Sequence, residues 1–448
     1  MSQKKQIKVI ELFAGVGGFR LGLEGDRDGN SSTSNYKRPL ENKIPFHIRY
    51  SNQLEPKKKK QYASDIYQNK FQHAKNSKHY EKDIDLITPA DLKVKCDLLV
   101  GGFPCQNYSV ASLLRDATGL IGEKGVLWWE IEKILKFLDD SDKSPDYLLL
   151  ENVDKLLISP TSRPGEPNFA GKDFAIILSS LAKLNYNVEW RIINAADYGF
   201  PQKRKRVFIF GFKESSKVAK NLQKYTLDEI LLKHGIIAQS FLCEPKDANI
   251  KLPGIQSAHR SISKDKRKYM KSYLDGKFKN AGVMINGKVI EYDMKAIKEP
   301  KSTLGSILVP KAQVPEEFYV RDKEVIKKWK NEKSSHQKLR KPKKGPEYFW
   351  KVGNMKFPDP LDEPSRTIVT SEGSKSPSRI SHIIKDRSGD YRRLTPAELE
   401  LLNMFPKNFT KMDGVPNSTR AFLMGNALVV GIVEKIGTTL SDILNDKI

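Results

Sequence analysis

The chain has 448 residues, 78 of them Lys or Arg against 54 Asp or Glu, for a formal net charge of +24. That length holds two or three domains with a sizeable core, and the charge points to a polyanionic partner, although a general enrichment in lysine reads the same way. Three scattered cysteines exclude a disulfide scaffold, no Cys/His cluster has zinc spacing, and no 18-residue apolar run or signal-peptide pattern occurs, so no metal, no membrane and a reducing intracellular compartment are expected.

Ile7 to Phe13 is a short β-branched run, followed at once by Ala14-Gly15-Val16-Gly17-Gly18-Phe19 and a helix starting at Arg20. Strand, glycine loop and helix open the ligand crevice of a doubly wound α/β domain. The spacing is neither the dinucleotide fingerprint nor a P-loop. It still implies close backbone approach to a small charged ligand. Residues 25–45 read as a polar loop or insertion. A strand from Phe46 to Tyr50 leads to Glu55, which is placed to accept hydrogen bonds from ribose hydroxyls or to sit solvated on the surface. Asp83, in Asp83-Ile84-Asp85, either accepts from an exocyclic amine or completes a turn.

Cys96 to Val100 reads as a buried strand that opens into Gly101-Gly102-Phe103-Pro104-Cys105-Gln106-Asn107-Tyr108-Ser109. A cysteine at a strand-to-loop turn, aimed by the preceding proline, is a candidate covalent nucleophile. A buried structural cysteine beside a turn fits the same letters. Gly119 to Gly125 forms a candidate lid, and a helix runs from Val126 through Leu138. The strand Tyr147–Val153 brings Glu151 to the same sheet edge as Cys105, as a candidate acid. After a helix over 174–184 and a strand over 188–193, alternation puts Gln202, Arg204 and Arg206 on one face and Lys203 and Lys205 on the other. That arginine face points into a cleft, or guards an edge strand with charge.

Beyond Lys213 the α/β rhythm stops. From Ser261 to Gly345 the chain holds 23 Lys and Arg against 10 Asp and Glu, interleaved with Tyr269, Tyr273, Phe278, Phe318, Tyr319 and Trp329. This reads as a folded basic module and the main nucleic-acid face. Thr367-Ile368 and the serine-rich loop to Ser378 read as a groove-contacting turn, and Thr395-Pro396-Ala397-Glu398 as a capping box. Gly425-Asn426-Ala427 and an apolar helix end the chain.

Taken in order, Phe13–Gly18, Gly102-Phe103-Pro104-Cys105-Gln106, Glu151-Asn152-Val153, Gln202–Arg206, Arg393-Leu394-Thr395-Pro396 and Gly425-Asn426-Ala427 resemble the motifs of the bacterial cytosine-5 DNA methyltransferases of restriction–modification systems. The resemblance implies a Rossmann-like, mostly parallel, doubly wound S-adenosylmethionine-dependent methyltransferase sheet in residues 1–235, completed by 420–448. A second, irregular DNA-recognition domain would occupy 236–419. It further implies that a flipped cytosine is attacked at carbon 6 by Cys105, within Pro104-Cys105-Gln106, and methylated at carbon 5. Glu151 would bind ring nitrogen 3 and the exocyclic amine, carrying a proton to do so. Arg206, with Arg204, would hold the carbonyl oxygen.

For the methyl donor S-adenosylmethionine, the same resemblance implies Phe13 against adenine and the Ala14, Gly15, Gly17, Gly18 and Phe19 loop at the methionine end. Glu55 would take the ribose and Asp83 with Ile84 the adenine side, and Leu127 and Asn426 would complete the pocket. Ser109, Lys124, Thr367 and Ile368 would touch double-stranded DNA. A cognate restriction endonuclease, a monomeric state and a bacterial cytoplasmic, DNA-associated location follow from the same likeness. The first motif carries Glu11 where Asp is commoner, and Lys124 stands where Arg is common. A tRNA methyltransferase of similar motifs would carry a shorter insert than residues 207–392, and a catalytically dead DNA-binding regulator would not retain Cys105, Glu151 and Arg206 together.

Overall fold

The computed structural model describes residues 6–25, 46–56, 58–72, 74–103, 126–159, 169–247, 259–271, 276–340 and 347–446. Pro104, Cys105, Gln106, Ser109 and Lys124 lie outside the described residues.

One sheet organises the molecule. In chain order its first strands are β1 (Ile7–Leu12), β2 (Phe46–Asn52), β3 (Lys78–Tyr80), β4 (Leu98–Gly102) and β5 (Tyr147–Val153), followed by β6 (Tyr186–Asn194), β7 (Gln202–Lys203) and β8 (Lys205–Lys213). The strands β9 (Cys243–Pro245), β10 (Arg260–Ser261), β11 (Ala281–Ile285), β12 (Lys288–Tyr292) and β13 (Met294–Ala296) come next. The ten-stranded order is β3-β2-β1-β4-β5-β8-β6-β11-β12-β10, while β9 pairs with β13 and β7 pairs elsewhere. The pairs from β3 to β5 are parallel. From β5 onward every pair is antiparallel.

The expectation of a mostly parallel sheet is therefore corrected: the parallel half continues into an antiparallel one. β6 returns as β8 through residues 195–204, too short a stretch for a parallel crossover, and β8 inserts between β6 and β5, so it runs against both. The β11–β12 hairpin turns on Asn286-Gly287, both at positive φ (50° and 76°), the residues a type I′ turn requires. That Asn-Gly signal was legible and missed. Residues 260–292, beyond position 236, thus extend the sheet.

Burial on both faces explains the continuous apolar runs. Val9, Val100, Tyr147 and Leu149 belong to the core on one face, with helix α1 (Gly18–Glu24) and the C-terminal helix Val430–Leu444. Ile10, Leu99, Leu148 and Leu150 belong to the core on the other, with helices α3 (Val126–Asp140) and α4 (Lys172–Lys183). Helix α2 (Tyr62–Phe71) packs behind the glycine loop. The C-terminal helix approaches α1 so closely that a Cβ on Gly22 would sit 2.7 Å from Val433 Cβ, which ties the chain's last helix to its first.

Of the interleaved aromatics of the basic module, Tyr319 is half-buried and Tyr273 lies outside the described residues. Tyr269, Phe278, Phe318 and Trp329 are all buried, and Phe278 stands edge-on to Phe174 at 4.9 Å. Burial of these rings is what a folded module, rather than a charged tail, requires: their apolar area is spent inside the fold.

Candidate active site

The glycine loop leaves β1 through residues that need left-handed backbone. Phe13 (φ 54°), Gly15 (φ 55°) and Gly17 (φ 93°) turn the chain sharply enough for α1 to start at Gly18. A Cβ on Gly15 would meet nothing within 4 Å, so the loop faces open space, whereas one on Gly17 would strike Phe71. Behind the loop lies a buried polar cluster. Glu11 is fully buried; its carboxylate accepts from the Arg20 backbone N–H at 3.2 Å and from the Tyr67 hydroxyl at 2.7 Å. Burial pushes Glu11 up to about 7, against the lowering effect of Tyr67 and Arg20. Tyr67 stacks at 4.6 Å on His79, which burial pushes down to about 4. Glu11 thus supports the loop from beneath.

At the mouth of the crevice the backbone N–H of Gly15 donates to Gln53 Oε1 at 2.8 Å, and Gln53 immediately follows β2. Gln53 is a site residue that sequence reading missed; its position one residue past the strand end was the available signal. Glu55 lies two residues further on, in a loop clasped by Gln61, which accepts from the Glu55 N–H (2.7 Å) and donates to its carbonyl (3.0 Å). Its half-buried carboxyl is raised by desolvation. Asn52 donates to the Tyr80 and Lys82 carbonyls, fixing the segment that carries half-exposed Asp83 and buried Ile84. Phe13, Ile84 and Leu127 share one apolar cluster. Ala14 and Phe19 are buried, and Leu428 packs on Gly18 just after exposed Asn426.

These residues fit S-adenosylmethionine. An apolar wall suits adenine, carboxylates suit the amine and hydroxyls, and an open glycine turn admits a charged methionine end.

The second half of the site straddles the change from parallel to antiparallel strands. Gly102, the last residue of β4, is in register with Glu151 on β5, and a Cβ there would lie 3.3 Å from Glu151 Oε2. Arg206, near the start of antiparallel β8, reaches the same edge: its Nε is 3.0 Å from Glu151 Oε1. Both side chains keep some exposure, 14% for Glu151 and 19% for Arg206, so a ligand can reach the pair. Asn152 donates to the Phe103 carbonyl at 3.3 Å, holding the residue before Pro104. Phe103 in turn packs on Trp128 of α3.

Of the other cysteines, Cys96 is buried with its thiol pushed up to about 12 by desolvation, and burial likewise raises Cys243. Neither is an activated nucleophile.

Arg204 and Ile368 correct the expected division of labour. Arg204 is buried and donates to the carbonyls of Ile368 (3.3 Å) and Gly425 (3.0 Å). Desolvation, with Arg206 nearby, holds its pKa below the ordinary arginine range. It is a tie between three segments rather than a group facing a substrate. Ile368 is 1% exposed, so a DNA contact from its side chain is ruled out. Its N–H donates to Gln202 Oε1 at 3.0 Å, and the Thr367 hydroxyl donates to the Lys203 carbonyl. The Thr-Ile pair seats the downstream region on the arginine segment, where Ser365–Arg366 runs parallel to β7. The capping box at Thr395 and Glu398 also ties in Arg392, at 2.7 Å from Glu398.

Among the described residues no group of three or more His, Cys, Asp or Glu could hold a metal, and no helix is long and apolar enough to cross a membrane.

A sheet whose β1 ends in a glycine turn, with an acid–arginine pair on neighbouring strand ends and an antiparallel β8 beside β5, defines an S-adenosylmethionine-dependent methyltransferase with an added smaller region. The C-5 cytosine-specific DNA methylase family model matches residues 7–442, and the chain belongs to that family. It is a DNA cytosine-5 methyltransferase that uses S-adenosylmethionine. It is 39% identical over 439 residues to Type II methyltransferase M.Sau3AI of Staphylococcus aureus, covering 98% of this chain and 96% of that one. Type II methyltransferase M.HaeII of Haemophilus aegyptius is 33% identical over 208 residues, 46% of this chain and 51% of that one. In fold, the chain is similar to the Entamoeba histolytica methyltransferase EhMeth (TM-score 0.55, 16% identity, 99% of each chain) and to S. pombe Dnmt2 methyltransferase (TM-score 0.54, 14% identity, 99% of each chain).

Proposed function

We propose that the chain methylates one cytosine within a specific duplex sequence, with Cys105 as the nucleophile, and that it protects DNA from a restriction endonuclease cutting the same sequence. The observation that carries this reading is the Glu151–Arg206 pair, 3.0 Å apart beside the β4 end that leads into Pro104-Cys105. The flipped ring needs a group that relieves negative charge on its nitrogen 3 side and a cation on its carbonyl oxygen. Glu151 faces the nitrogen 3 edge and accepts from the exocyclic amine, and Arg206 donates to the carbonyl oxygen. Cys105 thiolate adds to carbon 6, which leaves carbon 5 nucleophilic. After methylation water takes the carbon-5 proton as the carbon 6–sulfur bond breaks and the Cys105 thiolate leaves, which restores the ring.

S-adenosylmethionine supplies an electrophilic methyl group on a sulfonium. Phe13, Gly15, Gly17 and Gly18, with Gln53, Asp83, Leu127 and Asn426, bind and orient it. Residues downstream of β13, up to the capped helix at Pro396, form the recognition region, presenting positive charge to the phosphates. One chain carries nucleophile, acid, arginine and cofactor pocket, so a monomer in the bacterial cytoplasm suffices. The Type II methyltransferase names of M.Sau3AI and M.HaeII support pairing with an endonuclease.

The test is transfer of labelled methyl from S-adenosylmethionine to duplex DNA and to tRNA, for the wild type and Cys105→Ser. Transfer to duplex DNA, abolished by the substitution, is expected. Transfer to tRNA alone, or transfer surviving Cys105→Ser, overturns the reading.

A further inference from the structure

Helix Lys323–Lys333 leads directly into an antiparallel ribbon of two strands, His336–Arg340 and Tyr348–Val352, which among the described residues pair only with each other. The register sets Leu339 opposite Phe349 and Gln337 opposite Lys351. Alternation puts these four side chains on one face. That face is uncovered: Phe349 is 66% exposed and Leu339 47%. Two large apolar side chains directly opposite each other on an open ribbon are an aggregation risk unless a partner takes them.

The ribbon is nevertheless held firmly at its base. Arg379 donates to the carbonyls of Glu332 (3.1 Å), Ser334 (3.0 Å) and Gly353, bridging both ends of the ribbon. The Met355 N–H donates to the Lys333 carbonyl at 2.9 Å. Lys333 itself is fully buried, its ammonium donating to Asp359 Oδ2 at 3.1 Å and to the Ser381 carbonyl at 2.8 Å. Arg366 donates to the other oxygen of Asp359 at 2.6 Å, and its backbone pairs with Lys203. A buried pair held on both sides in this way fixes geometry more than it adds stability. The seat ends three residues from Arg206.

Charge selects the occupant. Residues 323–352 hold 11 Lys and Arg against 3 Asp and Glu, and on the helix Lys323, Lys327, Lys328 and Lys330 are exposed while Trp329 and Lys333 are buried. A second copy of this chain, with the same charge, would be repelled; a duplex would release counterions on binding. A two-stranded ribbon is admitted by the major groove, where apolar side chains contact thymine methyl groups.

We propose that the Gln337–Leu339–Phe349–Lys351 face enters the major groove of the target duplex and that Leu339 and Phe349 make base contacts that set sequence preference, with Lys333, Asp359 and Arg366 as positioning residues. This rests on the DNA-methylation reading above. The chain then discriminates sequence through apolar contacts on a ribbon whose distance from Arg206 is fixed by buried charges.

The experiment uses full-length wild type, the double variant Leu339→Ser with Phe349→Ser, and Lys333→Met. The target sequence is first defined by bisulfite sequencing of DNA from cells expressing the wild type. Thermal midpoint, Kd for target and scrambled duplexes, and methyl transfer at saturating DNA are then measured. For the double variant, an unchanged midpoint and a target Kd raised about tenfold or more, with scrambled-duplex Kd within about twofold, are expected. Lys333→Met is expected to raise the KM for target DNA with the same small effect on scrambled DNA. A target Kd within about twofold of wild type, or equal weakening on both duplexes, overturns the proposal, as does conversion of a wild-type dimer to monomer by the double variant. Failure of the parent reading is distinct: the wild type would then transfer no methyl to duplex DNA at all.

Discussion

Arg206 Nε stands 3.0 Å from Glu151 Oε1, across the junction where the parallel half of the sheet meets its antiparallel half. β4 and β5 run parallel, so Gly102 and Glu151 leave the sheet at one edge. β8 runs the other way, so the start of that strand brings Arg206 to the same edge. The reversal in strand direction is what lets a residue entering a strand face one leaving its neighbour.

The two arginines of this segment separate by burial. Arg206→Ala is expected to lower methyl transfer by about 100- to 1000-fold with little change in thermal midpoint, because a partly exposed pair adds little stability but a preorganised donor adds much to catalysis. Arg204→Ala is expected to destabilise the fold by about 2–4 kcal/mol, since it strips the donor from two buried carbonyls and opens a cavity. Thermal melts and single-turnover assays on both variants check this; equal loss of stability in both would contradict it.

Gln53 holds the Gly15 backbone at 2.8 Å. Gln53→Ala is expected to raise the Kd for S-adenosylmethionine about tenfold, ~1.4 kcal/mol, with DNA affinity unchanged. Titration calorimetry with the cofactor distinguishes this from a general loss of fold.

Glu11 has its folded-state value raised by burial to about 7, from an ordinary 4.5. Between those values the folded chain binds a proton that the unfolded chain does not. The stabilisation is therefore complete below about 4.5 and is lost as the pH rises through about 7. Glu11→Gln is expected to flatten the fall in urea stability between those limits by on the order of 1–3 kcal/mol. Glu189, buried and also raised to about 7 by desolvation, keeps its own share of the slope. An identical pH profile for the variant would remove Glu11 as a titrating group.

Much of this site was legible because its signals are local. The glycine loop, the Glu151 strand end and the Thr395 capping box each announce themselves within about six residues, through period-two burial or cap chemistry. What alternation could not decide was destination. Gln202, Arg204 and Arg206 share a face by period, yet Gln202 and Arg204 are covered by Ile368, Asn403 and Gly425, residues more than 160 positions away. The basic stretch from Ser261 hid two structures under one composition: a hairpin that extends the catalytic sheet and a region that does not. Its aromatics mark a folded module in sequence but not where each ring packs; in space Phe278 stands against Phe174 and Trp190. Gln53 is uncharged and marked only by the exact end of β2, which composition does not define, whereas Glu55 carries a charge.

The central claim is covalent attack on cytosine by Cys105, and trapping tests it most directly. Incubated with S-adenosylmethionine and a target duplex carrying 5-fluorocytosine, the wild type is expected to form a stable adduct, because fluorine cannot leave carbon 5 as a proton does. Peptide mass spectrometry should place the modification on Cys105, and Cys105→Ser should form none. An enzyme that methylates the unmodified duplex yet yields no adduct, or one trapped through a different residue, would contradict the account.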